Sequence, residues 1–242
     1  MAKRYGMVID LRRCIGCHAC SVACKQENNV PVTAFRTWVK QVEKGRYPNV
    51  RKVSLPSLCN HCEKPICVQN CPVQASYQRE DGIVLIDYDR CIGCKYCIAS
   101  CPYDVRFVNP IRGVVEKCTF CVHRVDKGQQ PACVETCMVK ARTFGDLNDP
   151  KSEVSRLIAT YPSSPLKPDS GTEPRVYYLF PDQFVMDSRG TDPRYVKYYH
   201  RDLKEELSLS EHDIKERSKT LKGISGADRF YDYRIGSNRP IR

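Results

Sequence analysis

The sequence predicts an α+β fold in which two small cysteine-rich units, one inserted into the other, share a small core and are followed by an extended C-terminal arm. Three observations carry this. The 242 residues contain 16 cysteines, which fall into four groups of four with short gaps. Two stretches repeat each other, Val8-Ile9-Asp10-Leu11-Arg12-Arg13-Cys14-Ile15-Gly16-Cys17 and Leu85-Ile86-Asp87-Tyr88-Asp89-Arg90-Cys91-Ile92-Gly93-Cys94, each a short strand running into a cysteine loop. The cysteines stop before Asp149-Pro150, and a stretch rich in Pro, Ser, Tyr and charge follows.

The groups are Cys14, Cys17, Cys20, Cys24; Cys59, Cys62, Cys67, Cys71; Cys91, Cys94, Cys97, Cys101; and Cys118, Cys121, Cys133, Cys137. The first and third have the spacing C-x2-C-x2-C-x3-C. Two residues between ligands let a loop wrap three thiolates round one face of a cubane, while the fourth cysteine, entering a helix, turns toward a neighbouring cluster. Cys71-Pro72 and Cys101-Pro102 add the proline that typically follows the fourth ligand. The other two groups each widen one gap, which lengthens a loop and leaves the ligand number unchanged. The cysteines thus divide into four complete sites with none left over, and the cofactors expected are four [4Fe-4S] clusters.

Other uses of cysteine fit less well. A disulfide framework suits a short secreted chain with scattered cysteines, not one dominated by C-x-x-C pairs. Zinc ribbons use such pairs but have no need of the C-x2-C-x2-C-x3-C-P run. No motif replaces a cysteine by another residue, which argues against a [3Fe-4S] site. No carboxylate pair, Ser/His arrangement or Gly-rich phosphate loop stands out, so no catalytic residue is assigned and the chain is not expected to be an enzyme alone.

Along the chain, the strand before Cys14 comes first. Phe35 to Leu55 reads as a hairpin with its turn at Lys44-Gly45-Arg46-Tyr47-Pro48-Asn49. Ala75-Ser76-Tyr77-Gln78-Arg79, a turn at Glu80-Asp81-Gly82, and Ile83-Val84-Leu85-Ile86-Asp87 form a second hairpin leading into Cys91. Cys71-Pro72-Val73-Gln74-Ala75 resembles Cys137-Met138-Val139-Lys140-Ala141, each followed by strand-forming residues. From 151 to 242 an extended arm is expected, with Arg175 to Phe184 and Tyr195 to Tyr199 suited to an interface and one helix over Leu209 to Lys222 capped by Ser210. Trp38 reads as a core or interface residue. Arg13, Arg90 and Lys117 precede the first cysteine of three groups, where Leu58 stands in the second. They are either cations that raise cluster potentials or solvated surface charge. His18, His61 and His123 read as packing or hydrogen-bonding residues, since every site already has four ligands.

The formal charge of +11 suggests nucleic acid until the clusters are counted. An oxidised core carries 2+ and its four thiolates 4−, so four sites bring the holo-protein to about +3, and no nucleic acid partner is expected. Charged residues make up 28% of the chain, so the apolar core is expected to be thin, with metal ligation supplying folding free energy. No apolar run approaches the ~20 residues that cross a bilayer, and mean hydropathy is −0.49. The N-terminus reaches Cys14 with no room for a leader, so export, if any, is expected to depend on a partner.

Pairing of the groups can be sequential or nested. Where two such clusters share a ferredoxin-like unit, the fourth cysteine of each motif ligates the other cluster. The hairpin leading from Cys71 straight into Cys91 joins groups two and three into one such unit, 58–105. By elimination the strand before Cys14 pairs with Arg142-Thr143-Phe144-Gly145-Asp146, closing an outer unit of 1–57 and 106–150. The fold is then two ferredoxin-like 2[4Fe-4S] units, one inserted into the other. The ligand sets expected are Cys14, Cys17, Cys20 with Cys137; Cys118, Cys121, Cys133 with Cys24; Cys59, Cys62, Cys67 with Cys101; and Cys91, Cys94, Cys97 with Cys71.

Over about residues 4 to 180 the sequence resembles the iron–sulfur subunit of the complex iron–sulfur molybdoenzymes, the dimethyl sulfoxide reductase family. In particular it resembles the β subunits of tetrathionate and polysulfide reductases. Leu58-Cys59-Asn60-His61-Cys62, Cys71-Pro72-Val73-Gln74-Ala75, Gln78-Arg79-Glu80-Asp81-Gly82-Ile83-Val84, Lys117-Cys118-Thr119-Phe120-Cys121-Val122-His123-Arg124 and Pro131-Ala132-Cys133-Val134-Glu135 carry the pattern. The resemblance implies an electron-transfer subunit with two partners: a catalytic subunit holding a molybdenum or tungsten pterin, and an integral-membrane quinone-reactive subunit. It also implies a sulfur-compound reductase of the tetrathionate, polysulfide or thiosulfate type. Attachment to the cytoplasmic membrane through partners follows, with the periplasmic face favoured, and with the first two clusters toward the catalytic subunit and the last two toward the membrane. A polyferredoxin-like carrier of a formate dehydrogenase or hydrogenase is one alternative, and a zinc-stabilised binding module another.

Overall fold

The computed structural model describes residues 3–187. Strand β1 (Tyr5–Asp10) opens the chain. Helix α1 (Ala19–Asn28) ends at Asn29, whose left-handed backbone closes its N–H on the Lys25 carbonyl, a conformation asparagine tolerates. Strands β2 (Thr37–Arg46) and β3 (Asn49–Leu58) form a long antiparallel hairpin. Helix α2 (Ile66–Gln69) precedes the pair β4 (Ser76–Gln78) and β5 (Val84–Ile86); α3 (Tyr96–Ala99) precedes the pair β6 (Arg106–Val108) and β7 (Val115–Lys117). Then come α4 (Val122–Val125), α5 (Ala132–Glu135), β8 (Arg142–Asp146), α6 (Glu153–Thr160), β9 (Ser163–Pro165), β10 (Val176–Leu179) and α7 (Gln183–Asp187). This mixture of short helices and strands is the α+β class expected.

The first hairpin is longer and tighter than the sequence suggests. Lys44, Gly45 and Arg46 were expected in the turn, yet they pair with Arg51, Val50 and Asn49. Gly45 makes this possible: its φ is +108°, and a Cβ there would lie 2.1 Å from the Asn49 carbonyl oxygen. The hairpin's inner end is buried through Trp38, Val39, Val53, Leu55 and Leu58, whereas Glu43 to Lys52 are exposed, with Lys44 reaching Asp182 at 3.1 Å.

A four-stranded sheet of order β8-β1-β10-β9 gathers both ends of the described chain. Strand β1 runs antiparallel to β8, from Tyr5 opposite Asp146 to Ile9 opposite Arg142, and parallel to β10, from Met7 opposite Val176 to Asp10 opposite Leu179. Here the expected arm must be corrected. Its first part, to residue 187, is folded against β1 rather than extended. Met7, Val8 and Ile9 are fully buried, so both faces and both edges of β1 need cover, and Val176-Tyr177-Tyr178-Leu179 supplies one edge. Helix α6 covers the outer face, packing Val154 against Val8 and Leu179. It is started by Ser152, whose hydroxyl accepts from the Ser155 N–H at 3.2 Å, an N-cap. The helix expected over Leu209 to Lys222 and the tyrosines from Tyr195 to Tyr199 lie outside the described residues.

The main core mixes apolar side chains with cysteines: Met7, Trp38, Leu58, Phe120 and Tyr178 sit in one cluster with Cys20, Cys59, Cys118 and Cys133. Tyr178, fully buried, donates its hydroxyl to the Pro56 carbonyl at 2.8 Å, tying β10 to the hairpin. Among the described residues no helix is long and apolar enough to cross a membrane.

Candidate metal centres

Each cysteine loop turns at the same place. The residue immediately before the second cysteine has left-handed backbone in all four groups: Gly16 (φ 72°), His61 (43°), Gly93 (68°) and Phe120 (52°). This bend brings the next cysteine back beside the first. Glycine adopts it without penalty, while His61 and Phe120 do so against a steric cost. Burial and packing hold them there. A second left-handed residue follows three of the groups, Gln74, Asp104 and Lys140, and turns the chain into β4, β6 and β8. The first group departs from this, because Cys24 lies inside α1.

The loops bring cysteines together across groups. One cavity is lined by Cys59, Cys62, Cys67 and Cys101. Another is lined by Cys71, Cys91, Cys94 and Cys97. On the other side of the molecule, Asn28 Nδ2 stands 3.7 Å from both Cys24 Sγ and Cys121 Sγ. Burial above all, then the neighbouring thiols of Cys133 and Cys121, push Cys24 up to about 12. Burial likewise raises Cys118 well above the usual thiol range, with Cys24, Cys133 and Cys121 beside it. Cys14 is raised by burial and lies beside Cys20 and Cys137. Cys17 and Cys94 are exposed. Without iron these buried thiols keep their protons, so loading the metal must expel them.

The surroundings fit an anionic group bound through sulfur. Backbone N–H groups of Ser76, Phe120 and Ala141 point at the sulfurs of Cys71 (3.5 Å), Cys118 (3.4 Å) and Cys137 (3.3 Å). Lys117, Arg106 and Arg142 are at most 3% exposed, and none is ion-paired with a carboxylate among the described residues. By contrast the buried Arg36 pairs with Glu116 at 2.9 Å and Arg175 with Glu63 at 2.8 Å. Arg106 Nη2 instead donates to Cys67 Sγ at 2.7 Å and Arg142 Nη2 to Cys20 Sγ at 3.4 Å. One further nitrogen of each guanidinium, Nη1, is buried with no partner. A buried cation without a counter-charge is strongly unfavourable, and a cluster at net −2 supplies the charge. Among the described residues no three His, Cys, Asp or Glu side chains close round a single-ion position. Tetrahedral zinc would need thiolates only ~3.8 Å apart, given Zn–S distances of about 2.3 Å.

The other residues singled out in the sequence divide plainly. Arg13 and Arg90 are exposed, so they are solvated charge. Lys117 is fully buried, its Nζ donating to the Cys118 carbonyl at 2.8 Å and to the Val84 carbonyl. His61 is a hydrogen-bonding residue: its Nδ1 accepts the Val84 N–H at 3.0 Å. Burial, then the charges of Lys117, Arg106 and Arg175, hold its pKa well below the usual value. His123 meets Glu27 at 2.7 Å, and His18 sits at the start of α1. Trp38 is core. Sequence reasoning missed Arg106 and Arg142. The signal was present, since each stands at the same place after the last cysteine of its group and opens a strand.

Comparison with known proteins decides the family. Models of a 4Fe-4S dicluster domain and a 4Fe-4S binding domain match residues 50–147 and 5–26. The sequence is 51% identical over 192 residues to the B subunit of tetrathionate reductase from Salmonella typhimurium, covering 77% of each protein. This protein belongs to the iron–sulfur subunits of the complex iron–sulfur molybdoenzymes. Within this family it is 43% identical over 182 residues to the B component of polysulfide reductase from Wolinella succinogenes, covering 74% of this protein and 95% of that one. It is 46% identical over 205 residues to the B iron–sulfur subunit of a putative dimethyl sulfoxide reductase from Halobacterium salinarum, covering 72% and 78%. An iron–sulfur subunit of this family carries [4Fe-4S] clusters and transfers electrons within a reductase complex; it is not a catalyst alone.

Proposed function

We propose that the chain holds four [4Fe-4S] clusters in line and conducts electrons between a pterin-molybdenum or -tungsten catalytic subunit and an integral-membrane quinone-reactive subunit. The reductase is one for a sulfur compound of the tetrathionate or polysulfide type. The observation that carries this is the pair of cavities, each lined by three cysteines of one group and the last cysteine of another. Such a lining is what crossed ligation in a two-cluster unit requires. The ligand sets are Cys14, Cys17, Cys20, Cys137 (first); Cys118, Cys121, Cys133, Cys24 (second); Cys59, Cys62, Cys67, Cys101 (third); and Cys91, Cys94, Cys97, Cys71 (fourth). Groups two and three form a unit over 58–105, inserted into an outer unit of 1–57 and 106–150. The β1–β8 pairing, which closes the strand before Cys14 onto the strand after Cys137, supports this.

When bound, the clusters supply one-electron redox chemistry. The chain's own residues hold them, donate N–H groups to their sulfurs and keep water from the middle pair. Cys17 and Cys94 are exposed, whereas Cys24, Cys59, Cys118, Cys121 and Cys133 are buried, so the first and fourth sites are the ends at which partners exchange electrons. Similarity to tetrathionate and polysulfide reductase subunits supports the substrate class. The complex sits at the cytoplasmic membrane through these partners, on the periplasmic face by family resemblance.

Cysteine-to-serine variants test the crossed ligation by electron paramagnetic resonance of the reduced chain. Cys71→Ser and Cys97→Ser should alter the same cluster signal, and Cys67→Ser a different one. Cys71→Ser and Cys67→Ser altering one shared signal, with Cys97→Ser altering another, contradicts the assignment.

A further inference from the structure

The three buried cations without carboxylates do not lie at random. Arg106 lines both cavities, the one of Cys59, Cys62, Cys67 and Cys101 and the one of Cys71, Cys91, Cys94 and Cys97. Its Nη2 is 2.7 Å from Cys67 Sγ of the third set, and its charge also acts on the Cys97 thiol of the fourth. Arg142 repeats this in the outer unit. Its Nη2 is 3.4 Å from Cys20 Sγ of the first set, and its charge acts on the buried Cys133 thiol of the second. Lys117 takes the remaining junction: its Nζ is fixed by the carbonyls of Val84 and Cys118, where the Cys59 thiol of the third set and the Cys118 thiol of the second both act on its charge.

We propose that Arg142, Lys117 and Arg106 are interleaved with the four clusters, one cation at each of the three junctions, and that each raises the reduction potentials of the two clusters it separates. The inference rests on the ligand sets above. Taking up an electron moves a site from −2 to −3 while its neighbour stands at −2, so adjacent sites oppose each other's reduction. A cation held between them favours the reduced form of both and weakens their mutual repulsion. The residue types suit their places. A guanidinium is a planar fork with donors on two sides and remains charged at any working pH, as a wedge between two sulfurs requires. Lysine presents a single charge point, here tied to two carbonyls. Three other cations near the sites cannot act this way: Arg36 is neutralised by Glu116, and Arg13 and Arg90 are exposed, where solvent and salt screen them. These three are positioning residues, acting through charge.

The test is a potentiometric titration, followed by electron paramagnetic resonance, of the full chain with its clusters, using Arg142→Gln, Lys117→Met and Arg106→Gln. Iron content checks that the clusters are retained. Each variant should lower two of the four midpoint potentials, cutting the reduced-to-oxidised ratio of each affected cluster at fixed poise about tenfold, or about 59 mV for one electron. The overlap is the signature. Arg142→Gln and Lys117→Met should share one shifted cluster, Lys117→Met and Arg106→Gln another, and the two arginine variants none. If a glutamine variant loses iron, the lysine variant replaces it. A lysine keeps the charge at the junction but moves it away from at least one of the two sites, so the two flanking potentials should fall unequally and the other two hold. Four unmoved potentials, or four moving together with iron retained, overturn the role of the cations. Pairwise shifts in which the two arginine variants share a cluster overturn the ligand sets instead.

Discussion

His61 and Phe120, the left-handed residues that precede the second cysteine of groups two and four, stack ring on ring with centroids 3.7 Å apart. The same turn in two loops thus becomes a packing contact between them. Phe120 also meets Phe144 of β8 edge-on at 5.1 Å, so the stack continues into the sheet.

Phe120→Ala should therefore cost about 3–5 kcal/mol, the range for truncating a buried aromatic, because Phe120 is 1% exposed. The urea midpoint for loss of the visible cluster absorbance measures it. A change no larger than that of an exposed substitution such as Val32→Ala would show that the stack holds nothing together.

Arg36 and Glu116 form a buried pair, at most 8% exposed on either side chain. Asn109 donates to Glu116 at 2.8 Å and Arg36 to Asn28 at 3.1 Å, and Asn28 in turn reaches Cys24 and Cys121. Glu116→Gln should destabilise the protein by about 3–5 kcal/mol, since it strands a buried guanidinium. The double variant Arg36→Met, Glu116→Leu should recover most of that loss. Equal loss in single and double variants would contradict the argument.

Strand β10 was legible in the sequence only as part of an interface-forming arm, not as a strand of this fold. Nothing local in Val176-Tyr177-Tyr178-Leu179 says whether its partner is β1 or another subunit, and parallel pairing with β1 is a long-range choice made by the uncovered edge of a fully buried strand. The cysteine sites were far more legible, because ligand spacing is a local constraint that the loop must satisfy by itself. Arg106 and Arg142 escaped for the opposite reason: their role depends on burial and on sulfurs supplied by distant groups, and an arginine at a strand start reads as surface. Lys117 was visible as a cation before Cys118, yet only the structure separates it from the exposed Arg13 and Arg90.

Removing residues 175–242 should strip iron as well as stability, because β10 covers β1 and Tyr178 anchors the hairpin. Iron per chain and melting temperature check this, compared with removal of 188–242, which should leave the described core loaded. Full iron in the shorter chain would mean that β10 is dispensable to the sites.

Iron removal by a chelator under reducing conditions should unfold the protein cooperatively instead of leaving a compact apo-protein. Four cysteines of the proposed ligand sets sit in the main core, and Lys117, Arg106 and Arg142 would lose their counter-charge. Circular dichroism in the far ultraviolet reads the outcome, and retention of the native spectrum at zero iron would contradict it.

The most direct measurement is the content of iron and acid-labile sulfide per chain after anaerobic purification. Four complete cubanes predict about sixteen of each. About eight of each, or about four zinc with little iron, would contradict the four-cluster electron carrier described here.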